Sequence, residues 1–248
     1  MSTKAWIIFV VVCVVGFGGL IFLSQKEKVN VTDNADKKVQ TARDESGGIA
    51  DHVSGNPDAK VILVEYGDFQ CPACGDIHPL VKNVTKKHQG EVAFIFRSFP
   101  LPQLHPNARA ASAAAEAAGL VGKYWQMHDL IFENQQEWEA AKADERTDIF
   151  AGYAEKIGIK KDEFISTLEN KNEQINQKIN YDQAVGKKAK VSGTPSFFLN
   201  GRQLDQSEIA SEESLNKAIE AELKKQSTKP QPKADTKTEA KQPAANKE

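Results

Sequence analysis

Cysteine is scarce in this chain, three residues in 248, and charge of either sign is not in excess. Set against each other, 34 acidic and 32 basic side chains leave a net charge of -2, which argues against nucleic-acid binding and against a strongly charged partner. The balance conceals an uneven spread. Lys224 to Glu248 hold seven Lys against Asp235, Glu239 and Glu248, so the tail is basic and the body mildly acidic. The same tail has no large apolar side chain, cannot bury enough surface to offset its ordering entropy, and is expected to be disordered over 224–248.

At the N-terminus it is charge that is missing. Ala5 to Leu23 are 19 uncharged residues, enough at 1.5 Å rise each to cross most of a hydrocarbon core of roughly 30 Å. A cleaved secretory signal is the rival reading. No small-x-small cleavage pair follows Leu23, and the run exceeds a usual signal core, which favours an uncleaved transmembrane signal-anchor over 1–24. Lys4 and the α-amine flank one end and Lys26 and Lys28 the other, so the positive-inside rule barely discriminates. Residues 25–50 are polar and charge-mixed and contain Gly47-Gly48, the composition of a flexible tether. What remains, 51–223, is one domain with a single core.

Within it, "VILVEYGDFQCPACGDIHPL" carries the chemistry: a short apolar run bounded by turn residues, read as a strand buried on both faces, and then two cysteines at the start of a helix. Pro72 suits a first helical turn, and Ile77, Leu80, Val81 and Val84 recur at helical spacing. "EVAFIFRSFPL" supplies a second strand and completes a βαβ unit. From about 105 to 190 the period is helical throughout, after which "TPSFFLNG" and "RQL" read as third and fourth strands and "SEESLNKAIEAELKK" as a closing helix. Two thiols at a strand-to-helix junction either hold a metal or exchange electrons. Cys71, Cys74 and His78 could give three zinc ligands, but a structural site takes four, and no second CxxC, HxxxH or distant cysteine supplies another. Cys13 sits in the apolar run without a partner, and no small-residue lipobox precedes it. His52, His88 and His128 read as surface, turn and helix-face residues, and Trp125, Met127 and Phe132 as core of the helical segment.

The motifs "VEYGDFQCPAC", "HPNARAASAAAEAA", "KYWQMHDLIFENQ" and "VSGTPSFFLNG" together resemble the DsbA-like thiol:disulfide oxidoreductases over about Asp58 to Lys225. The fold so implied is α/β, thioredoxin-like with an all-helical insertion. At a helix N-terminus, unpaired N–H groups and the positive end of the macrodipole favour a thiolate, so Cys71 is the expected nucleophile and Cys74, one turn on, the buried resolving thiol. Pro72 fixes the turn, and Ala73 lacks the imidazole that some family members place there; both lie where substrate would pass. The resemblance further implies that Glu65 accepts a proton from the buried thiol, and that Thr194 and Pro195, joined by a cis bond, align an extended substrate beside Cys71. It implies no cofactor beyond a redox-active Cys71–Cys74 disulfide and no metal. The implied partners are secreted proteins bearing thiols and a membrane redox protein for reoxidation. An oxidising compartment then puts the N-terminus in the cytoplasm and the domain outside the cell membrane. The expected activity is dithiol oxidation. A reductase or isomerase, or a non-catalytic binding or chaperone-like module with a structural disulfide, are the alternatives.

Overall fold

The apolar run ahead of the cysteines is a strand, and its neighbours are set by the same alternation. The computed structural model describes residues 37–228. Strands β1 (Val53–Gly55), β2 (Val61–Gly67), β3 (Val92–Ser98), β4 (Ser196–Leu199) and β5 (Arg202–Gln203) form one sheet in the order β1-β3-β2-β4-β5. Central β2 runs parallel to β3 and antiparallel to β4. All seven residues of β2 and all seven of β3 are buried, as a strand covered on both faces requires.

Helix α1 (Pro72–Lys87) links β2 to β3. The insertion follows as α2 (Ala108–Gly119), α3 (Tyr124–Glu133), α4 (Gln135–Trp138), α5 (Ala143–Lys156), α6 (Lys161–Asn170) and α7 (Asn172–Lys188), and α8 (Glu212–Thr228) closes the chain. Period-two alternation divides the strand residues between two cores. Val61, Leu63, Val92 and Phe94 pack with Val81 and Val84 of α1 and Leu215 and Ile219 of α8. Ile62, Val64, Tyr66 and Ile95 pack with Tyr181 and Val185 of α7 on the other face. A third cluster fills the insertion, where the small side chains of Ala111, Ala114, Ala115 and Ala118 on α2 pack with Met127, Ile131, Trp138 and Phe150.

Several expectations need correction. The stretch read as a tether over 25–50 is packed from residue 37 onward. Gln40, Ser46 and Ile49 are buried, and a turn at Asp44–Ser46 precedes Gly47, whose φ of 62° suits glycine. Its polar residues serve as partners: the Gln40 N–H donates to Asp51 Oδ2 at 2.8 Å, Tyr181 Oη donates to Gln40 Oε1 at 3.2 Å, and Arg97 Nη2 donates to the Lys38 carbonyl at 3.1 Å. Strand β1 was not anticipated, since three residues carry too little pattern. The tail boundary at 224 is also late-shifted, because α8 continues to Thr228. His88 lies in the turn that ends α1 and His128 on a helix face, as read, and both are buried; His52, read as a surface residue, is part-buried, stacked on Tyr124 and 2.9 Å from Glu116 Oε2. The apolar run at 1–24 and most of the basic tail lie outside the described residues. Among the described residues no helix is long and apolar enough to cross a membrane.

A charged cluster lies within this fold. Arg97 Nη2 is 2.6 Å from Asp51 Oδ2, and Lys178 Nζ lies 2.6 Å from Asp182 Oδ1 and 3.3 Å from Asp51 Oδ1, all buried. Burial alone would raise the Asp51 pKa, but the charges of Arg97 and Lys178 hold it down to about 2. Asp51→Asn removes one anion and leaves buried cations undercompensated, so a loss of about 3–5 kcal/mol is expected. The check is the urea midpoint, which falls while the slope stays the same. A midpoint equal to the parent's would mean that water reaches the cluster.

Candidate active site

Alternation along β2 puts Glu65 on the face that carries Val61 and Leu63, the face covered by α1. After Gly67 the chain turns through "DFQ" into the helix. Asp68 builds that turn: its Oδ1 accepts from the Gln70 N–H at 2.8 Å, and its Oδ2 accepts from the Leu101 N–H at 2.8 Å and lies 2.8 Å from His105 Nδ1. Gln135 Nε2 donates to the carbonyls of Phe69 and Cys71 at 2.7 and 3.0 Å, so the insertion clamps the turn from above. Gln70 Oε1 accepts from the Asn107 N–H at 2.6 Å. Neither Asp68, Gln70, Asn107 nor Gln135 was singled out from the sequence. Polar residues directly beside an apolar run and a CxxC were the available signal for the first two.

Cys71 is the N-cap residue of α1, with extended backbone, and Pro72 takes the first helical position, where its missing N–H costs nothing. Both cysteines are reduced. Cys71 keeps 8% of its surface exposed, whereas Cys74 keeps none. Pro72 and Ala73 are exposed beside them. Thr194–Pro195 is a cis peptide, and the Thr194 carbonyl oxygen lies 3.5 Å from Cys71 Sγ. The structure therefore brings Cys71, Pro72, Ala73, Thr194 and Pro195 together, with Cys74 buried behind Cys71, and puts Glu65, 3% exposed, in the interior beneath α1. His78 does not join the cysteines. It turns instead toward His128 and Asp129, and among the described residues no metal-ligating group includes either thiol.

The two sulfurs are shifted in opposite directions. A hydrogen bond from the Cys74 thiol, helped by the N–H groups of Cys74 and Ala73 and opposed by burial, lowers the Cys71 pKa to about 5. Burial first, then the hydrogen bond given to Cys71, then the charge of Glu65 push Cys74 well above the usual thiol range. Burial, reinforced by the negative charge of Cys71, raises Glu65 to about 8. Near neutral pH the arrangement holds a nucleophilic thiolate at the surface, a protonated thiol inside and a protonated carboxyl below.

These features are those of a thioredoxin-fold redox site, and the chain belongs to the thioredoxin family, whose model it matches over residues 48–221. Its fold is similar to that of oxidised BdbD from Bacillus subtilis, at 22% identity and a TM-score of 0.61, covering 76% of this chain and 98% of that one. The thiol-disulfide exchange protein α-DsbA2 from Wolbachia pipientis is similar at 22% identity and a TM-score of 0.58, covering 69% and 86%. Among curated sequences, the Na(+)/H(+) antiporter NhaA 1 of Salinispora arenicola is 39% identical over 153 residues. That match takes in 62% of this chain but 22% of the antiporter's length.

In the reduced protein, ultraviolet thiolate absorbance should rise with a midpoint near pH 5 and be lost in Cys71→Ser. Cys74→Ala should move the midpoint upward, because the largest stabilising hydrogen bond is gone. A midpoint unmoved by Cys74→Ala would assign the thiolate to the helix N–H groups instead.

Proposed function

We propose that the protein is an extracytoplasmic thiol:disulfide oxidoreductase acting as a dithiol oxidase through Cys71 and Cys74. The opposite shifts of two thiols in one helical turn carry this reading, because they rank the sulfurs by reactivity. A substrate thiolate attacks Cys71 Sγ of the Cys71–Cys74 disulfide, the S–S bond breaks, and its electron pair leaves on Cys74. Released in the interior, that thiolate takes a proton from Glu65. A second substrate thiolate attacks the substrate sulfur of the mixed disulfide and expels Cys71 as the stable thiolate. The substrate dithiol has lost two electrons and the protein has gained them. Reoxidation passes both to a membrane redox partner, and Glu65 takes the Cys74 proton back.

The Thr194 carbonyl beside Cys71 supports a substrate laid as an extended strand across Thr194, Pro195, Pro72 and Ala73. The uncharged run Ala5–Leu23 supports anchoring in the cell membrane, N-terminus inside and domain outside, close to emerging secreted chains. Antiport is not carried over from proteins of which this chain spans about a fifth. Reductase or isomerase action uses the same steps in another order, and the low Cys71 pKa favours the oxidase because it stabilises the reduced form.

Cys74→Ser should accumulate mixed disulfides with thiol substrates on non-reducing gels, and Cys71→Ser should form none. An absence of adducts in Cys74→Ser would reverse the assignment of the two sulfurs. Glu65 gives a separate test. With Cys71 tied up in a mixed disulfide its charge is absent, so Glu65 ionises at or somewhat below pH 8. Ring closure by Cys74 should accelerate as pH rises through that point, and Glu65→Gln should flatten the profile. An identical inflection in Glu65→Gln would remove the carboxyl from the proton path.

A further inference from the structure

Thiol exchange makes no use of three side chains on the helices that flank its interior. His78 lies on α1, one turn beyond Cys74, and His128 and Asp129 lie on α3. The imidazoles are 6% and 3% exposed, with ring centroids 5.3 Å apart. Nε2 of each is buried and has no hydrogen-bond partner. An unpaired buried ring nitrogen has lost its water with nothing in return. Both rings lie against Asp129. Asp129 Oδ1 lies 3.1 Å from His128 Nδ1 and 3.7 Å from His78 Nε2, and one donor atom from each of the three residues falls within 4.8 Å of the others.

We propose that His78, His128 and Asp129 form a binding site for a divalent transition-metal ion of the Zn2+ type. Two imidazole nitrogens and one carboxylate oxygen are the donors such borderline ions take. A cation about 2.0–2.2 Å from each donor sets the donors about 3–4 Å apart, so only small inward movements separate the three residues from a coordinating set. Their rings are already oriented. Phe132 stacks on His78 at 5.1 Å, and Phe69, Phe96 and Trp125 pack edgewise on His128 at 5.4, 4.8 and 4.9 Å. Little side-chain freedom is left to lose on binding.

Lys82 Nζ is 2.7 Å from Asp129 Oδ2 and 2.8 Å from Glu133 Oε1, so it occupies the outer oxygen and leaves Oδ1 turned to the histidines. Asp129 and Glu133 offset Lys82 between them, while Lys86 also lines the cavity beside the site. A cavity of about 190 Å³ lined by all three residues leaves room for water to complete the coordination. Neither cysteine belongs to this set, and Glu65 lines the same cavity, so the site is tested by metal binding itself and not by thiol exchange.

The test uses the full chain carrying Cys13→Ser with Cys71 and Cys74 oxidised, so that no thiolate competes, after treatment with a chelator. Titration with Zn2+ by calorimetry, and with Co2+ by visible absorption, should show one ion bound per chain. Asp129→Asn and His78→Phe should each weaken Zn2+ binding by at least about tenfold. Asp129 is 27% exposed and Asn keeps its volume, so that variant decides the matter even where His78→Phe fails to fold. A parent that binds no Zn2+, or an Asp129→Asn protein that binds it as tightly as the parent, overturns the site.

Discussion

Burial of β2 on both faces admits one register, because a slip of a single residue would send Glu65 to the face of Val64 and Tyr66 and bring apolar side chains beneath α1 in its place. The seven paired residues between β2 and β3, and the four between β2 and β4, hold that register from both sides. Two consequences follow at the end of the strand. The strand ends at Gly67, where a β-carbon would collide with the Phe96 ring, and the chain turns at once into α1. Cys71 therefore arrives at a helix N-terminus over a buried carboxyl, and β4, paired to β2 on the opposite side from β3, delivers Thr194 and Pro195 beside it.

The two thiols are the same functional group three residues apart, and their environments alone make them different. One hydrogen bond acts on both: donated by Cys74 to Cys71, it lowers the acceptor's pKa and raises the donor's. Burial then widens the gap, since Cys74 has no exposed surface and Cys71 has a little. Glu65 enters through the same interior. Its charge would oppose a thiolate on Cys74, so the carboxyl and the buried thiol favour sharing protons over ionising together, which is what a proton exchanged between them requires.

The sheet and the thiol pair were legible because they rest on strong local signals: a β-branched run, a proline at a helix start and a CxxC between them. The partners of that pair were less so. Gln135 through its side chain and Asn107 through its backbone N–H meet the "DFQ" turn from more than thirty residues away, and nothing local marks them. The surroundings of His128 were hidden for a related reason. The helical period puts it on one face with Trp125 and Phe132, but only the fold brings up the rings from β3, α1 and the turn before the cysteines. The segment from 37 to 50 failed differently. Polar, glycine-bearing composition signals solvent, but here the polar groups answer donors and acceptors that the folded domain could not otherwise satisfy.

That last point changes where the domain begins. Arg97 sits at the sixth position of β3, wholly buried, and its guanidinium takes the Lys38 carbonyl together with Asp51 and Tyr66 Oη. Asp182 of the same cluster accepts from the Ser98 N–H at 3.3 Å, and the next N–H, that of Phe99, donates to the Gly67 carbonyl at 2.7 Å. The end of β3 and the end of β2 are thus fixed partly by residues that precede the first strand. Trimming the chain to residue 51 would strip partners from a buried cation next to the strand ends that set the thiol turn.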